Sequence, residues 1–362
     1  MALTRITLGN FRNHAATTLD DTGIFNLLVG ENGAGKTNIL EALSLFSPGR
    51  GLRRASLAEI SAAGGPGGFE IGASLVQDKG SDPVRLASWT DPSSPTRRKI
   101  RVNGADSSAN ALGEWLAITW LTPAMDRIFT DSASARRRYL DRLVVAISPS
   151  HARNVSRYDA SLRERNRLLG MDYAPDPVWL DSVETHLARY GNAIATERAQ
   201  IVHMLADSLS HYPAHPFARP ILRYASEEPT EPDALADMFR QGRDRDRKAG
   251  RTLQGPHRDD LEVMMSGKLV PAANCSTGEQ KAMLIAITLA HAQIASRGRP
   301  SLILLDEVAA HLDPLRRAAL FERLRTTGGQ VWLTGTELSA FNAIGDDLAV
   351  WQIAHGKASR TQ

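Results

Sequence analysis

The spacing of apolar and polar positions divides the chain into three stretches. In the first, Ala2 to Leu8 and Ala15 to Leu19 alternate apolar with polar residues around Asn10-Phe11-Arg12-Asn13, a period of two that predicts a half-buried hairpin. Phe25 to Val29 breaks the alternation with a continuous apolar run that stops at Gly30, as expected of a strand covered on both faces. Ile39, Leu40, Leu43 and Phe46 then share one helical face, so Thr37 to Phe46 reads as a helix. Further strands are predicted at Phe69 to Val76, Val84 to Trp89 and Ile100 to Val102, separated by turns rich in glycine, proline and serine.

From about Ser134 to Ala249 the period becomes helical, with Ala135 to Ala146, Ser156 to Leu169 and Trp179 to Leu209 as the long segments. No heptad pattern persists along them, which favours a compact helical arm over an extended coiled coil. Glu227 to Pro232 and Arg243 to Arg251 are expected on the surface of this arm. The last stretch alternates again: a strand at Leu261 to Met265, a helix at Gly278 to Ala295, a strand at Leu302 to Leu305, a helix at Leu315 to Leu324 and a strand at Gln330 to Leu333. That order predicts an α/β unit with parallel strands. The expected organisation is a split α/β head, residues 1–133 and 251–362, interrupted by a helical insertion at 134–250.

Composition narrows the class without choosing within it. With 362 residues, 42% hydrophobic and 23% charged, the chain is neither disordered nor fibrous. No apolar run approaches the roughly 20 residues that span a bilayer, and the start lacks a signal-peptide pattern. The single cysteine, Cys275, cannot close an internal disulfide, so a soluble cytoplasmic chain is expected. Charge is more informative in its distribution than in its total of +3. Residues 97–167 carry 14 basic and 7 acidic side chains, whereas residues 300–362 carry 6 and 7. The first of these regions is polarised towards an anionic partner or presents a solvated helix face; composition leaves both open.

The chemistry concentrates at Gly30-Glu31-Asn32-Gly33-Ala34-Gly35-Lys36-Thr37, a match to G-x-x-x-x-G-K-[ST] set between a predicted buried strand and a predicted helix. Glycines let successive backbone N–H groups converge on phosphate oxygens, and the helix N-terminus adds its positive dipole end. Lys36 would then reach the β and γ phosphates and the Thr37 hydroxyl would ligate Mg²⁺. Such a loop needs an acidic partner on a neighbouring strand, and Ser301 to Glu307 supplies an apolar strand ending in two carboxylates. Asp306 would hold Mg²⁺ through water and Glu307 would polarise the attacking water. The bland reading of Asp306-Glu307 is a helix N-cap.

A second anion site opens the predicted helix at Gly278, in Cys275-Ser276-Thr277-Gly278-Glu279-Gln280-Lys281. Two such sites on distant faces serve one triphosphate only if two chains meet head to tail. Ala310-His311-Leu312-Asp313 follows the acidic pair, and the strand at Val331 to Leu333 ends at Thr334-Gly335-Thr336, where a hydroxyl could sense a γ phosphate.

Taken together these motifs resemble the ABC-type ATPase heads of the SMC superfamily, and more closely the RecF family of bacterial DNA replication and repair proteins. The resemblance runs through Asn10-Phe11-Arg12-Asn13-His14, Leu121-Thr122-Pro123, Arg136-Arg137-Arg138-Tyr139-Leu140-Asp141 and Gly255-Pro256-His257-Arg258-Asp259-Asp260-Leu261, the last being the most family-specific. It implies a P-loop ATPase head that binds ATP and Mg²⁺ and forms a homodimer around two nucleotides. It also implies action on double-stranded DNA and gapped junctions, with RecO and RecR, to load RecA in recombinational repair and the SOS response. Carried over residue by residue, Gly30 to Thr37 with Asn38 hold the nucleotide, Asp306 and Glu307 serve as the acidic pair, and Ser276 with Gly278 touch a partner's γ phosphate. Arg12 stands where related heads contact phosphate or base. The chain departs from transporter ATPases at Thr277 and Glu279 and has Thr334 or Thr336 instead of a switch histidine, so slow hydrolysis, with ATP as a dimerisation switch, is expected.

Arg136, Arg137 and Arg138, with Arg127, Arg142, Arg153 and Arg157 nearby, are the candidate DNA contacts, of a kind that sets affinity without reading sequence. The competing reading buries Tyr139, Leu140 and Leu143 and pairs the arginines with Asp131 or Asp141. His257 is a candidate for approach to the nucleotide or to a lobe interface. The alternative functions are a membrane-transporter ATPase, the head of another SMC-like complex, or a nuclease. The helical insertion and altered signature argue against the first, and the lack of an acidic cluster argues against the last.

Overall fold

The computed structural model describes residues 2–76, 81–173, 175–213, 215–227, 231–296, 298–309 and 312–362. Ala310 and His311 of the expected turn, and part of the Glu227 to Pro232 segment, lie outside these residues. The first part runs β1 (Ala2–Phe11), β2 (His14–Asp20), β3 (Phe25–Val29), α1 (Lys36–Ser44), α2 (Leu57–Ile60), β4 (Phe69–Val76), β5 (Val84–Asp91), β6 (Ser94–Val102), β7 (Ala105–Ser107), α3 (Ala109–Trp115) and β8 (Ala117–Leu121). There follow α4 (Ala133–Ile147), α5 (His151–Leu169), α6 (Pro177–Ser210), β9 (Pro220–Ala225), α7 (Pro232–Gln241), α8 (Arg243–Ala249), β10 (Asp260–Met265), β11 (Val270–Pro271) and α9 (Thr277–Ala295). The chain closes with β12 (Ser301–Leu305), α10 (Pro314–Thr326), β13 (Gln330–Gly335), β14 (Leu348–Ala354) and β15 (Lys357–Arg360).

Two compact units form. The first, the head, comprises Met1–Asp126, Pro213–Phe217 and Lys281–Gln362 and holds two six-stranded sheets. One sheet is antiparallel in the order β2-β1-β4-β5-β6-β7, and its strands β2 and β4 alternate buried with more exposed side chains. The other runs β15-β14-β3-β13-β12-β8, with every pairing from β14 to β8 parallel. Its strands β3, β8, β12 and β13 are buried at every position, which is why they read as apolar runs rather than alternations. Three members of this sheet, β8, β14 and β15, have no counterpart among the strands expected from sequence. The body of α9 is apolar around its whole circumference, with Ala282 to Ile287, Leu289 and Ala290 all buried, and so belongs to the core.

The second unit, the arm, comprises Arg127–Tyr212 and Ala218–Gln280. Its helices α5 and α6 pack antiparallel, as the pairs His151–Glu197, Arg157–Tyr190 and Arg165–Glu184 run in opposite senses along the two. Tyr158, Leu187, Ile194, Leu235 and Phe239 form its apolar centre. Beside them Arg165, fully buried, donates to Glu184 (2.9 Å), Asp246 (2.7 Å), Thr252 (2.7 Å) and the Phe239 carbonyl (2.7 Å). The arm extends past the expected bounds of 134–250 because β9 pairs with β10, and β10 with β11, in a three-stranded sheet, so residues up to Gln280 fold with it. The short piece Pro213–Phe217 goes to the head instead, where Phe217 is buried under the Arg323 guanidinium and Arg316 donates to the Pro216 carbonyl (3.2 Å).

Candidate functional site

Strand β3 delivers Gly30 to the carboxyl edge of the parallel sheet, and α1 begins six residues later. Two glycines in between are sterically required. A Cβ on Gly30 would stand 2.2 Å from the Ile353 carbonyl oxygen. Gly35, at φ +117°, would drive a Cβ to 2.7 Å from both the Asn13 amide and the His14 ring. Those two neighbours hold the loop from behind. His14 Nε2 donates to the Gly35 carbonyl (3.1 Å), Asn13 Nδ2 donates to the Ala34 carbonyl (3.0 Å), and Asn38 Nδ2 donates to Asn13 Oδ1 (2.7 Å). His14 is fully buried, and that burial keeps its pKa below the ordinary imidazole value. With the Ala34 and Gly35 carbonyls pinned towards the hairpin and the Ala34 N–H closed onto the Glu31 carbonyl (3.2 Å), the other N–H groups of the loop are left to face a ligand.

Lys36 folds back over this loop, its Nζ donating to the carbonyls of Gly30 (2.6 Å) and Glu31 (2.9 Å). Burial lowers its pKa, partly offset by the charges of Glu307 and Asp306. The Thr37 hydroxyl donates to Asp306 Oδ1 at 2.9 Å. Asp306 follows β12, and β13 lies between β12 and β3, so the acidic strand is one further away than expected. Thr334, at the end of β13, fills the gap. Its hydroxyl donates to the same Asp306 oxygen (2.9 Å) and accepts the Glu307 N–H (2.8 Å). Glu307 sits at φ +54°, a backbone region that costs a non-glycine residue about 1–3 kcal/mol and is retained where surroundings fix it. The Asp306-Glu307 pair is not a helix cap; the following helix, α10, is capped by Asp313. Thr334 is buried and fully engaged, whereas Thr336 is exposed.

Arg12 is engaged within the head. Its guanidinium forms a fork with the buried Glu41 of α1 (2.9 and 2.6 Å) and donates to the Glu59 carbonyl (2.8 Å). The hydrogen bonds and charge of Glu41 outweigh burial and raise the Arg12 pKa. Arg53 also donates to Glu41 (3.1 Å) and to Asn38 Oδ1 (2.6 Å), so Arg12, Asn38 and Glu41 form one brace along α1.

In the arm, Ser276 opens α9 as a capping box. Its N–H and hydroxyl donate to Glu279 Oε2 (both 3.0 Å) and its Oγ accepts the Glu279 N–H (3.4 Å). Lys268 with these bonds pulls the Glu279 pKa down to about 2. A Cβ on Gly278 would meet nothing within 4 Å, so this turn presents open backbone to solvent. Two of the expected DNA contacts are committed elsewhere. Arg136 forks onto Asp260 (2.8 and 2.6 Å) and Arg137 donates to the Asp259 carbonyl (2.8 Å), whereas Arg138, bonded to Ser134, and Arg127, Arg153 and Arg157 stay on the surface. The carboxylate partner is thus Asp260; Arg136 also donates to the Asp131 carbonyl (2.5 Å), and Asp141 pairs with Arg198. His257 is likewise held within the arm, Nδ1 to the Tyr158 hydroxyl (2.8 Å) and Nε2 to the Thr252 carbonyl (3.1 Å).

Sequence reasoning missed the bracing roles of Asn13, His14 and Thr334. For the first two the signal was present in the polar turn of the first hairpin, where Asn10 and Arg12 both take positive φ.

A glycine loop between a buried parallel strand and a helix, facing a hydroxyl-bonded Asp306 across the sheet, defines a P-loop nucleotide-binding head. The profile of the RecF/RecN/SMC N terminal domain matches residues 2–352. A DNA replication and repair protein RecF from Mesorhizobium japonicum is 43% identical over 99% of this chain and 98% of its own length. A solved structure of the recombination mediator protein RecF-ATP in the RecFOR pathway shares the fold, with a TM-score of 0.86 at 24% identity over 100% of this chain and 98% of that one. The Smc head domain from Pyrococcus yayanosii is more distant, with a TM-score of 0.56 at 15% identity over 100% of this chain and 97% of its own. The chain belongs to the RecF family of DNA replication and repair proteins. That membership sets aside the transporter reading, and no helix among the described residues is long and apolar enough to cross a membrane.

Proposed function

We propose that the chain is an ATP-gated DNA-binding protein of recombinational repair, in which nucleotide binding drives dimerisation and hydrolysis is slow. The observation that carries this reading is the Thr37–Asp306–Thr334 cluster at the mouth of the Gly30–Thr37 loop. Loop N–H groups and the start of α1 receive the phosphates, and Lys36 exchanges the carbonyls of Gly30 and Glu31 for phosphate oxygens. The donor set of Thr37 Oγ1 and Asp306 Oδ1, two hard oxygens 2.9 Å apart, fits Mg²⁺. When bound there Mg²⁺ would neutralise charge developing on the phosphates. Glu307 orients and polarises the attacking water, and Thr336, the exposed hydroxyl, is the γ-phosphate sensor. Ser276 and the open backbone at Gly278 supply the contact from a second copy, as the exposure of that turn at the start of α9 supports, and the departure of the signature from the transporter pattern supports slow hydrolysis. RecF-named relatives of the RecFOR pathway support RecO and RecR as partners in loading RecA at gaps. The duplex is the expected substrate, with gapped junctions as its physiological form, in the cytoplasm.

The test is sedimentation of wild type and Glu307→Gln with and without ATP. Glu307→Gln should accumulate an ATP-bound dimer, and Lys36→Arg should abolish ATP-dependent retention on DNA. Monomers under every condition would refute the gate.

A further inference from the structure

The basic segment has a part that neither the nucleotide site nor the internal pairing of the arm uses. Between α5 and α6 lies a cleft of about 420 Å³ lined by Arg153, Asn154, Arg157, Arg189, Tyr190 and Ala193. Arg153 and Arg157 are one turn apart on α5, and Arg189 stands opposite on α6. All three are exposed, and among the described residues none of them meets a carboxylate. Elsewhere in the arm acids are matched to arginines: Arg136 to Asp260, Arg165 to Glu184 and Asp246, Arg198 to Asp141 and Arg243 to Asp181 and Glu184. The nearest acid along α6, Glu197, is one turn past Ala193 and is taken by His151 (2.6 Å), Ser148 (2.8 Å) and, from the cleft lining, Asn154.

Tyr190 organises the cleft. Arg157 Nη1 donates to its hydroxyl (2.6 Å), and the guanidinium carbons of Arg157 and Arg189 lie 5.5 and 5.9 Å from its ring centroid. The His186 ring stacks on it at 6.4 Å. Two cations share one aromatic ring, which spreads them at fixed positions and limits the rotamer freedom that binding must otherwise remove. The Tyr190 hydroxyl accepts from Arg157, so its own hydrogen remains available to a ligand oxygen.

We propose that this cleft is a docking site for the phosphodiester backbone of DNA. The lining offers guanidinium forks and a phenol, donor types that hold phosphate oxygens, while the Asn154 amide is engaged by Glu197. Apart from Tyr190 and the small Ala193 its lining is cationic or polar, the complement of a backbone that carries a negative charge at every phosphate. No base-reading element accompanies it, so the cleft fixes affinity and orientation without sequence preference. The inference rests on the reading of the chain as a DNA-binding protein and names where on the arm the strand lies.

The experiment is fluorescence anisotropy of a labelled duplex with the full chain and ATP, from about 50 to 200 mM salt. It compares wild type, the triple variant Arg153→Gln/Arg157→Gln/Arg189→Gln, and the same variant with lysines. Removing one phosphate-binding cation makes the slope of log K against log salt shallower by about 0.9, so the glutamine triple variant should flatten it by about 2 to 3. Its affinity at the lowest salt should fall by at least about 10-fold, the lysine variant should recover most of the slope, and ATP affinity and the urea midpoint should not move. An unchanged slope in the glutamine variant overturns the site while leaving the DNA-binding reading intact. No DNA binding by wild type at any salt overturns both. Loss of polyglutamate binding with DNA binding retained would assign the cleft to an acidic protein and also overturn the proposal.

Discussion

Replacing Thr334 by valine isolates the step by which the head positions its acidic pair. Valine keeps the shape of the buried side chain but removes both of its hydrogen bonds, to Asp306 Oδ1 (2.9 Å) and from the Glu307 N–H (2.8 Å). Asp306 retains the Thr37 hydroxyl, so its loss is partial; the Glu307 N–H is deprived of the Thr334 acceptor. A hydrogen bond to a charged group is worth about 1.5–3 kcal/mol and an orphaned buried donor costs about 1–3 kcal/mol. Allowing for the retained bond, unfolding of the head should become easier by about 2–4 kcal/mol. The second consequence is positional. Glu307 is kept at φ +54° by that same bond, and once released it relaxes and its carboxylate leaves its station. The expected loss in kcat is roughly 10- to 100-fold, or about 1.4–2.8 kcal/mol in the barrier, while ATP Kd shifts by less than about 3-fold. Phosphate release at saturating ATP gives kcat, nucleotide fluorescence gives Kd and urea titration gives stability. Thr334→Ser restores the hydroxyl and should recover both kcat and stability. Thr336→Val, at an exposed position, should lower turnover without changing stability. Wild-type kcat and wild-type unfolding in Thr334→Val would refute this role for the Thr334 hydroxyl.

Two further outcomes concern the arm. Arg165→Met should cost it about 3 kcal/mol, the lower end for breaking a buried ion pair, because Glu184 keeps Arg243 and Asp246 keeps the Leu253 N–H; denaturation followed by far-UV dichroism measures it. The His151 cluster should make arm stability depend on pH in a defined window. Burial alone would lower the His151 pKa, but hydrogen bonds to Asp141 and Glu197 raise it above its ordinary value; Asp141 and Glu197, against their own burial, are lowered, the first by Arg198 and His151 and the second by His151 and Ser148. A raised histidine contributes fully below its unfolded pKa near 6.5 and loses that contribution as pH rises through the folded value, whereas the lowered carboxylates lose theirs as pH falls through their folded values. The cluster therefore stabilises most between about pH 4.5 and 6.5, and unfolding free energy should decline above that range in wild type and less in His151→Gln.

How much of this was legible in the sequence follows from what each segment has to satisfy. Phe25–Val29, Ser301–Leu305 and Phe69–Val76 were readable because burial on two faces, or on one, writes itself as an apolar run or an alternation. The Gly30–Thr37 loop was readable because steric demands at Gly30 and Gly35 admit no other residue. Strand β8 was hidden because Ala117–Leu121 is a short apolar run that periodicity alone does not separate from the helix Ala109–Trp115 just before it, and its parallel neighbour β12 gives it an identity. The reach of the arm was hidden for the same reason: β9 ends 35 residues before β10 begins, and each acquires meaning from the other. Side-chain partners at long range, such as Thr334 with Asp306 or Arg136 with Asp260, leave no local trace at all.

Partners that distant decide how a local charge excess is to be used. Residues 97–167 hold twice as many basic as acidic side chains, and the run Arg136-Arg137-Arg138 is its densest part. Density was the wrong guide, because Asp259 and Asp260, more than 120 positions away in the chain, take up two of the three arginines. Within the same segment Arg165 and Arg167 also meet acids, and Arg101 meets Asp106. The field that an anionic partner feels comes from cations left over after this internal matching, not from the count. By that measure Arg153 and Arg157, secondary to the Arg136 run in sequence and joined by Arg189 from the neighbouring helix, belong to the segment's outward charge together with the exposed Arg127, Arg138 and Arg163. The run from Gly255 to Asp260, which carried part of the family resemblance in sequence, acts as an internal fastener: the Pro256 carbonyl receives Arg198, His257 meets Tyr158, and Asp260 holds Arg136. A motif of charged and ring residues can thus serve the arm's fold where a ligand site would be read from sequence.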